Sequence, residues 1–226
     1  YKRGKYNFTD ILSLNKMGWM VGLQMGLETA LFSITGIMIG WLGSIALAAH
    51  QVMVAISTLG FMIYYGVGAA VSVRVSNYFG RQELLHVRRT TMAGFHLILC
   101  LAVCACTVFL FSRELIGYLF TTSEEVIRVV STLVYILLAY QFGDALQITY
   151  ANSLRGIGDV ISMAVISFIG YFLIAMPVCY ICGFVLEWGI TGIWIGYPIG
   201  LTLTGVMLCG RYYWKLKTKT QSKEFY

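Results

Sequence analysis

The sequence predicts an all-α integral membrane protein built as a bundle of six transmembrane helices. Of its 226 residues, 58% are hydrophobic and only 12% are charged, and the mean hydropathy is +0.77. Soluble domains carry about 25% charged residues, so this composition excludes an ordinary soluble fold. The apolar runs are about 20 residues long, which is enough to cross ~30 Å of hydrocarbon as a helix. They are continuous and do not alternate with polar residues, which argues against membrane-spanning strands.

The limits of the apolar runs predict the organisation of the chain. We place the spans at residues 18–40, 48–73, 92–112, 129–152, 160–183 and 190–211. The predicted units are therefore a basic lead-in at 1–17, a six-helix transmembrane lobe at 18–211 and a basic tail at 212–226.

Turn and breaker residues add detail to this plan. Pro177 and Pro198 are the two prolines of the chain, and each predicts a bend because proline removes a helical hydrogen bond. The polar stretch Thr121 to Glu124 predicts an N-cap before the fourth span.

The distribution of charge predicts the orientation of the bundle. An even number of spans places both termini on one side, together with the turns after the second and fourth spans. That side carries most of the basic residues, namely Lys2, Arg3, Lys5, Lys16, Arg74, Arg81, Arg88, Arg89, Arg155, Arg211, Lys215, Lys217, Lys219 and Lys223. By the positive-inside rule both termini are cytoplasmic in a multi-pass protein of the plasma (inner) membrane. The net charge of +6 is thereby explained without a nucleic-acid partner.

Two of the ten acidic residues lie at membrane depth, Glu28 in the first span and Asp144 in the fourth. A charged carboxylate at the centre of a spanning helix costs ~2.5–3.5 kcal/mol on insertion scales, so such residues usually face a bundle interior or a water-filled cavity. Polar side chains surround both acids at helical spacing. The candidate cation and substrate site consists of Gln24, Glu28, Tyr140, Gln141, Asp144 and Gln147.

Motifs for other kinds of chemistry are missing from the sequence. It contains no GxSxG, HExxH or GxxxxGK[ST] pattern, so we predict a protein that is not an enzyme and needs no cofactor. Cys179 and Cys182 have the spacing of a metal-binding pair but lie in an apolar run without a second pair. We interpret the cysteines as small apolar residues and predict no metal–thiolate site or disulfide.

Several segments together resemble one transporter family. These are LETALFSITGIMIGWLGSIALAAHQV at 27–52, GVGAAVSVRVSNYFGR at 66–81, YQFGDALQ at 140–147 and SLRGIGD at 153–159. They are similar to the C-terminal half of multidrug and toxic compound extrusion (MATE) transporters of the NorM type, over roughly residues 14–214. The resemblance implies one lobe of a twelve-helix, two-lobe transporter that exports hydrophobic organic cations in exchange for Na⁺ or H⁺. The N-terminal lobe is missing here and the chain begins with Tyr1, so we expect a piece of a longer protein.

The resemblance also implies roles for particular residues. Glu28, Tyr140 and Asp144 match the positions that surround the cation site of the C-terminal lobe, and the same three would hold Na⁺. Carboxylate and phenol oxygens suit a hard cation, and the Tyr140 ring suits an organic cation. Met20 stands where relatives commonly have proline, which is a departure from the family pattern.

Two alternatives to the exporter remain open at this stage. A flippase for lipid-linked oligosaccharides from the same broader fold group would line its cavity with basic residues for phosphates, and no Lys or Arg lies at mid-membrane here. The other alternative is a half-transporter fragment that does not transport by itself. Membrane lipid is an expected partner in each case.

Overall fold

The computed structural model describes residues 8–224, which form a bundle of long helices joined by short turns. The helices are α1 (Phe8–Gly40), α2 (Ser44–Gly80), α3 (Leu84–Phe111), α4 (Arg113–Phe120), α5 (Glu124–Gly156), α6 (Val160–Phe168), α7 (Met176–Tyr180) and α8 (Gly189–Glu224). A π-helical segment, Ile169–Ala175, joins α6 to α7, and a second one, Ile181–Val185, continues α7. Six helices of this part of the chain are long and apolar enough to cross a membrane, with α6 to Val185 counted as one. The predicted all-α, six-span architecture is confirmed.

The helices extend beyond the predicted spans. α1 begins at Phe8 rather than near residue 18, α2 continues to Gly80 rather than 73, and α8 continues to Glu224 rather than 211. Hydropathy indicates which part of a helix lies in lipid. The hydrogen bonds of the helical backbone continue beyond that part until a turn residue interrupts them. The short helix α4 lies in a stretch that the hydropathy pattern had left between spans.

The predicted turn features are found in altered form. Ser123 precedes α5 as predicted, but its side chain forms no capping hydrogen bond; instead its backbone N–H donates to Thr121 Oγ1 at 3.1 Å. Pro177 lies in the first turn of α7, between the two π-helical segments. Because proline has no N–H, the hydrogen-bond ladder is irregular around it. α8 is continuous through Pro198.

Helix α5 is the centre of the lobe. It lies between α2 and α8 and also contacts α3, and most of its side chains from Tyr140 to Leu154 are buried. Glycines allow the close approach: a Cβ at Gly143 would lie 2.8 Å from Thr202 Oγ1 in α8, and one at Gly156 would lie 2.7 Å from the carbonyl oxygen of Ser72 in α2. The C-terminal half of the fourth predicted span is therefore largely enclosed by other helices, whereas Tyr135, Ala139 and Phe142 remain exposed.

Two apolar clusters occupy the two ends of the lobe. One includes Ile39, Leu137 and Trp194; the other includes Val75, Leu154 and Tyr212 and lies at the end that holds the turn between α5 and α6. The middle part of α5, which carries Asp144, passes between them. A third apolar cluster, which includes Tyr64 and Ile148, packs beside this part of α5, so the polar residues of the candidate site lie among apolar side chains.

An ion pair fastens the α5–α6 turn to α8. Gly158 adopts φ +77°, a conformation that favours glycine, and Asp159 follows it. The Asp159 carboxylate accepts hydrogen bonds from Arg211 Nε at 2.7 Å and from Ser162 Oγ at 2.8 Å, and Lys215 Nζ lies 4.0 Å away. Burial by itself raises the pKa of Asp159, but these hydrogen bonds and positive charges outweigh it and hold the pKa below its ordinary value.

We expect Asp159→Asn to lower thermal stability in a pH-dependent way. Because the folded-state pKa is depressed, the stabilisation is present above the unfolded-state value of about 3.9 and is lost as the pH falls through the folded-state value. The difference in apparent Tm between natural protein and variant should therefore be full at pH 7 and shrink below about pH 4. Asp10→Asn, in the exposed first turn of α1, is the matched control and should show no such difference. A constant difference at all pH values would contradict the charge-based account.

We also expect Gly156→Ala to destabilise the lobe. The added methyl group would meet the backbone of Ser72 and the side chain of Val75, neither of which moves without displacing α2. Overpacking of this kind costs about 1–3 kcal/mol. Gly80→Ala is a matched control, since Gly80 also ends a helix but a Cβ there has no neighbour within 4 Å. Thermal unfolding in detergent should separate the two variants by several degrees, and equal Tm values would refute the close contact.

Candidate functional site

Glu28 is held by a chain of hydrogen bonds that joins three spans. Gln24, one turn earlier in α1, donates from Nε2 to Glu28 Oε2 at 3.2 Å. The hydroxyl of Tyr171, in the first π-helical segment, donates to the same oxygen at 3.4 Å. Tyr171 in turn accepts a hydrogen bond of 2.8 Å from Gln147 Nε2 in α5. The chain Gln147, Tyr171, Glu28 and Gln24 therefore couples α1 to α5 through the fifth span.

Asp144 lies one turn of α5 before Gln147 and is fully buried. Within the described part of the chain, both of its carboxylate oxygens lack a hydrogen-bond donor. Oε1 of Gln141 and Oε1 of Gln147 are also buried without a partner. Buried polar atoms are nearly always hydrogen-bonded, and an ionised carboxylate without partners is very costly in an apolar interior. A proton or a hard cation would satisfy the Asp144 carboxylate, and the amide oxygens are hard ligands as well.

A cavity of about 240 Å³ opens beside Glu28. We call it the main cavity because it borders the candidate site, and larger grooves exist elsewhere on the lobe. Tyr140 and Glu28 lie in its wall together with the rings of Phe32 and Phe61. The remaining lining residues are Met25, Thr29, Val54, Ser57 and Thr58. One carboxylate, three aromatic rings and no Lys or Arg among the lining residues suit a cationic, largely apolar molecule.

A narrow cavity of about 20 Å³ approaches Glu28 from the end that holds the α5–α6 turn. Its walls include Gln24, Gln147 and Arg155. Arg155 donates from Nη1 to Tyr65 Oη at 3.2 Å and to Asn152 Oδ1 at 3.3 Å, and its guanidinium lies 5.9 Å from the centre of the Tyr65 ring. The positively charged side chain of Arg155 thus lies in the wall of the narrow cavity. No Lys or Arg lies in the wall of the main cavity.

The structure divides the six predicted site residues into two groups. Four of them line a cavity. Glu28 and Tyr140 line the main cavity. Gln24, Gln147 and Glu28 line the narrow cavity. Asp144 and Gln141 line neither of these cavities and are closed in by protein. A Cβ at Gly60 would lie 3.0 Å from Gln141 Nε2, which places Gln141 against α2.

Sequence reasoning missed Tyr171, Arg155 and the two phenylalanines of the main cavity. Tyr171 was detectable in principle, because a phenol hydroxyl inside an apolar span needs a polar partner. Arg155 had been assigned only to the basic side of the membrane. Phe32 and Phe61 carry no such signal, since aromatic residues are common throughout the apolar runs.

Comparisons with known proteins show which family this chain matches. The MatE family model matches residues 21–181. The chain is 34% identical over 220 residues to the multidrug resistance protein NorM of Photobacterium profundum, covering 95% of this chain and 47% of that protein. It is 32% identical over 214 residues to the corresponding protein of Vibrio cholerae, covering 92% and 47%. The chain therefore spans about half the length of the curated relatives it matches.

Solved structures show the same fold. The Vibrio cholerae MATE transporter VcmN, in its bent form, superposes with a TM-score of 0.87 at 16% identity, covering 98% of this chain and 50% of that one. The eukaryotic MATE transporter AtDTX14 gives a TM-score of 0.85 at 20% identity, with 96% and 51% covered. Half coverage at this similarity corresponds to one lobe of such a structure. By its sequence match and its fold, this chain belongs to the MATE family, as a six-helix lobe of a multi-pass membrane protein.

Proposed function

We propose that this chain is the C-terminal lobe of a secondary antiporter that exports hydrophobic organic cations in exchange for Na⁺ or H⁺. The observation that carries the proposal is the pair of intramembrane acids. Glu28 lies in the wall of a cavity with aromatic rings, and Asp144 is buried one turn from the hydrogen-bonded chain that leads to Glu28. The names of the curated relatives, which are multidrug resistance proteins, support the same activity.

Na⁺ or H⁺ would bind at Glu28 and Asp144. The unpartnered oxygens of Asp144, Gln141 and Gln147 offer the hard ligands that Na⁺ prefers, and a proton would neutralise Asp144 equally well. Tyr140 stands in the main cavity one turn before Asp144 and completes the candidate site. If the exchange moves net charge, the membrane potential would add ~2.3 kcal/mol per net charge moved per 100 mV.

The organic cation would bind in the main cavity. The positively charged group of the organic cation would face Glu28. Its apolar part would contact the rings of Phe32, Phe61 and Tyr140. When the coupling ion neutralises the acids, this attraction falls and the cation is released. Exchange then follows from a population shift between states that favour one ligand or the other.

The orientation and membrane location remain as predicted from the sequence. We infer that the α5–α6 turn and both ends of this chain face the cytoplasm in the plasma (inner) membrane, because the basic residues are concentrated there. The N-terminal lobe of the native transporter would form the opposite wall of the cavity. The predicted units at 1–17, 18–211 and 212–226 stay a proposal, with α1 and α8 continuing into the outer two.

Replacing Asp144 with Asn should abolish coupled transport. The test uses inverted vesicles that contain the full-length protein, in which accumulation of a fluorescent lipophilic cation is followed under a Na⁺ gradient and a pH gradient imposed separately. We expect one gradient to drive accumulation by the natural protein, which names the coupling ion. Asp144→Asn should lose at least about 90% of this driven uptake, because an amide holds neither a proton nor a full negative charge.

Asp10→Asn, in the exposed first turn of α1, is the control and should transport normally. Membrane levels of both variants are compared so that loss of protein is not mistaken for loss of transport. Full driven uptake by Asp144→Asn would overturn the role of this acid. Failure of both gradients in the natural protein would overturn the antiporter proposal itself.

Replacing Tyr171 with Phe should weaken coupling without removing it. The lost hydroxyl is the link between Gln147 and Glu28, and a hydrogen bond to a charged group contributes about 1.5–3 kcal/mol. We expect the half-saturating concentration of the coupling ion to change by about tenfold or more. Tyr180→Phe, an exposed tyrosine on α7, is the matched control. Equal ion dependence in the two variants would show that the Tyr171 hydroxyl has no part in coupling.

A further inference from the structure

A surface groove runs between α2 and α3 on the same end of the lobe as the α5–α6 turn. We call it the α2–α3 groove; its volume is about 400 Å³. One face of α2 and one face of α3 form its walls, at spacings of three and four residues that are typical of a single helix face. The lining residues are Val67, Ala70, Val71 and Arg74 of α2 with Arg89, Thr90, Ala93, Gly94 and Leu97 of α3. None of them belongs to the candidate cation site.

Two arginines stand together in this groove. Among residues 8–224, neither Arg74 nor Arg89 forms an ion pair. Arg74 is engaged only weakly, by a 3.5 Å hydrogen bond to the Tyr78 hydroxyl. Arg88, next in sequence to Arg89, differs because its guanidinium lies over the Tyr213 ring at 5.5 Å. The groove therefore presents two guanidinium groups that no carboxylate of the described chain neutralises.

The rest of the groove is apolar and shaped by small residues. At its floor the two helices touch, since a Cβ at Gly94 would collide with the side chain of Val71. Ala70 and Ala93 leave room above this contact. From Arg89 to Leu97 the helix rises about 12 Å, so the apolar part runs this far from the arginines toward the middle of the membrane.

The arginines also lie at the level where lipid head groups are found. Arg74 is the first charged residue after the second apolar run, and Arg89 is the last before the third. A ligand with its charge at the arginines and its apolar part in the groove would thus lie along the membrane normal, as a lipid does.

We propose that the α2–α3 groove is a binding site for an anionic phospholipid. The phosphate group binds Arg74 and Arg89, with the Thr90 hydroxyl available as a further donor, and one acyl chain lies along Ala70, Ala93 and Leu97. Guanidinium groups suit phosphate because they donate two parallel hydrogen bonds. Basic clefts between helices at the cytoplasmic side are places where anionic lipids bind. The site is separate from Glu28 and Asp144 and does not depend on the proposed transport activity.

Native mass spectrometry of the full-length protein tests this proposal. Delipidated protein is titrated with phosphatidylglycerol or with phosphatidylcholine of the same acyl chains. We expect a tight, saturable site for phosphatidylglycerol and at least tenfold weaker binding of phosphatidylcholine. The double variant Arg74→Gln/Arg89→Gln should bind phosphatidylglycerol about 10- to 30-fold more weakly. The reason is that each arginine near the membrane surface contributes a similar share of the attraction to an anionic lipid. Arg81→Gln, an exposed arginine of the same turn outside the groove, should bind as the natural protein does.

A second variant tests the apolar half of the site without changing charge. Ala93→Leu fills the groove and should weaken phosphatidylglycerol binding at least fivefold, whereas Ala48→Leu, at an exposed position at the other end of α2, should leave it unchanged. Inorganic phosphate is the third arm and should compete only weakly, since it has no acyl chain. Equal binding of both lipids, unchanged binding by the double variant, or full competition by inorganic phosphate would each overturn the proposal.

Discussion

The lobe depends on keeping the Asp144 carboxyl inside a membrane-embedded bundle. The group is fully buried, and no side chain or backbone group between residues 8 and 224 donates a hydrogen bond to it. Such a group is tolerated only where it is neutralised or where a cation joins it. A bundle optimised for packing alone would place an apolar residue there. In the function we propose, this position is explained by ligand binding at Asp144 as well as by folding.

Tight packing around α5 makes this burial possible. Gly143 and Gly156 bring α8 and α2 close to the α5 backbone, and apolar clusters close both ends of the lobe around the polar middle. Glu28, by contrast, is on α1, and its hydrogen-bonded link to α5 passes through Tyr171. The two acids thus differ in setting: one is enclosed at the centre of the lobe, and the other is at the edge of a cavity.

Much of this arrangement could be predicted from sequence, and the missing part has a physical reason. Continuous apolar runs predicted the six spans. The high free energy of a charge inside the membrane identified Glu28 and Asp144 as candidate site residues. Hydropathy could not find the ends of α1 and α8, because a helix does not stop where lipid stops. Nor could the periodicity of α5 show that Gln141 turns toward Gly60 while Gln147 reaches Tyr171, because residues on one broad helix face meet different neighbours. The role of Tyr171 depends on a contact between positions 143 residues apart, which no local pattern contains.

Arg155 gives the two cavities that meet at Glu28 opposite electrical character. Its guanidinium is held by Tyr65 and Asn152 in the wall of the narrow cavity, whereas no Lys or Arg lies in the wall of the main cavity. In a low-dielectric setting, a fixed positive charge raises the energy of any cation that comes near it. The Arg155 charge therefore disfavours a cation in the narrow cavity, whereas no Lys or Arg opposes one in the main cavity. A single side chain thus gives two cavities beside the same carboxylate different electrostatic potentials, without any movement of the backbone.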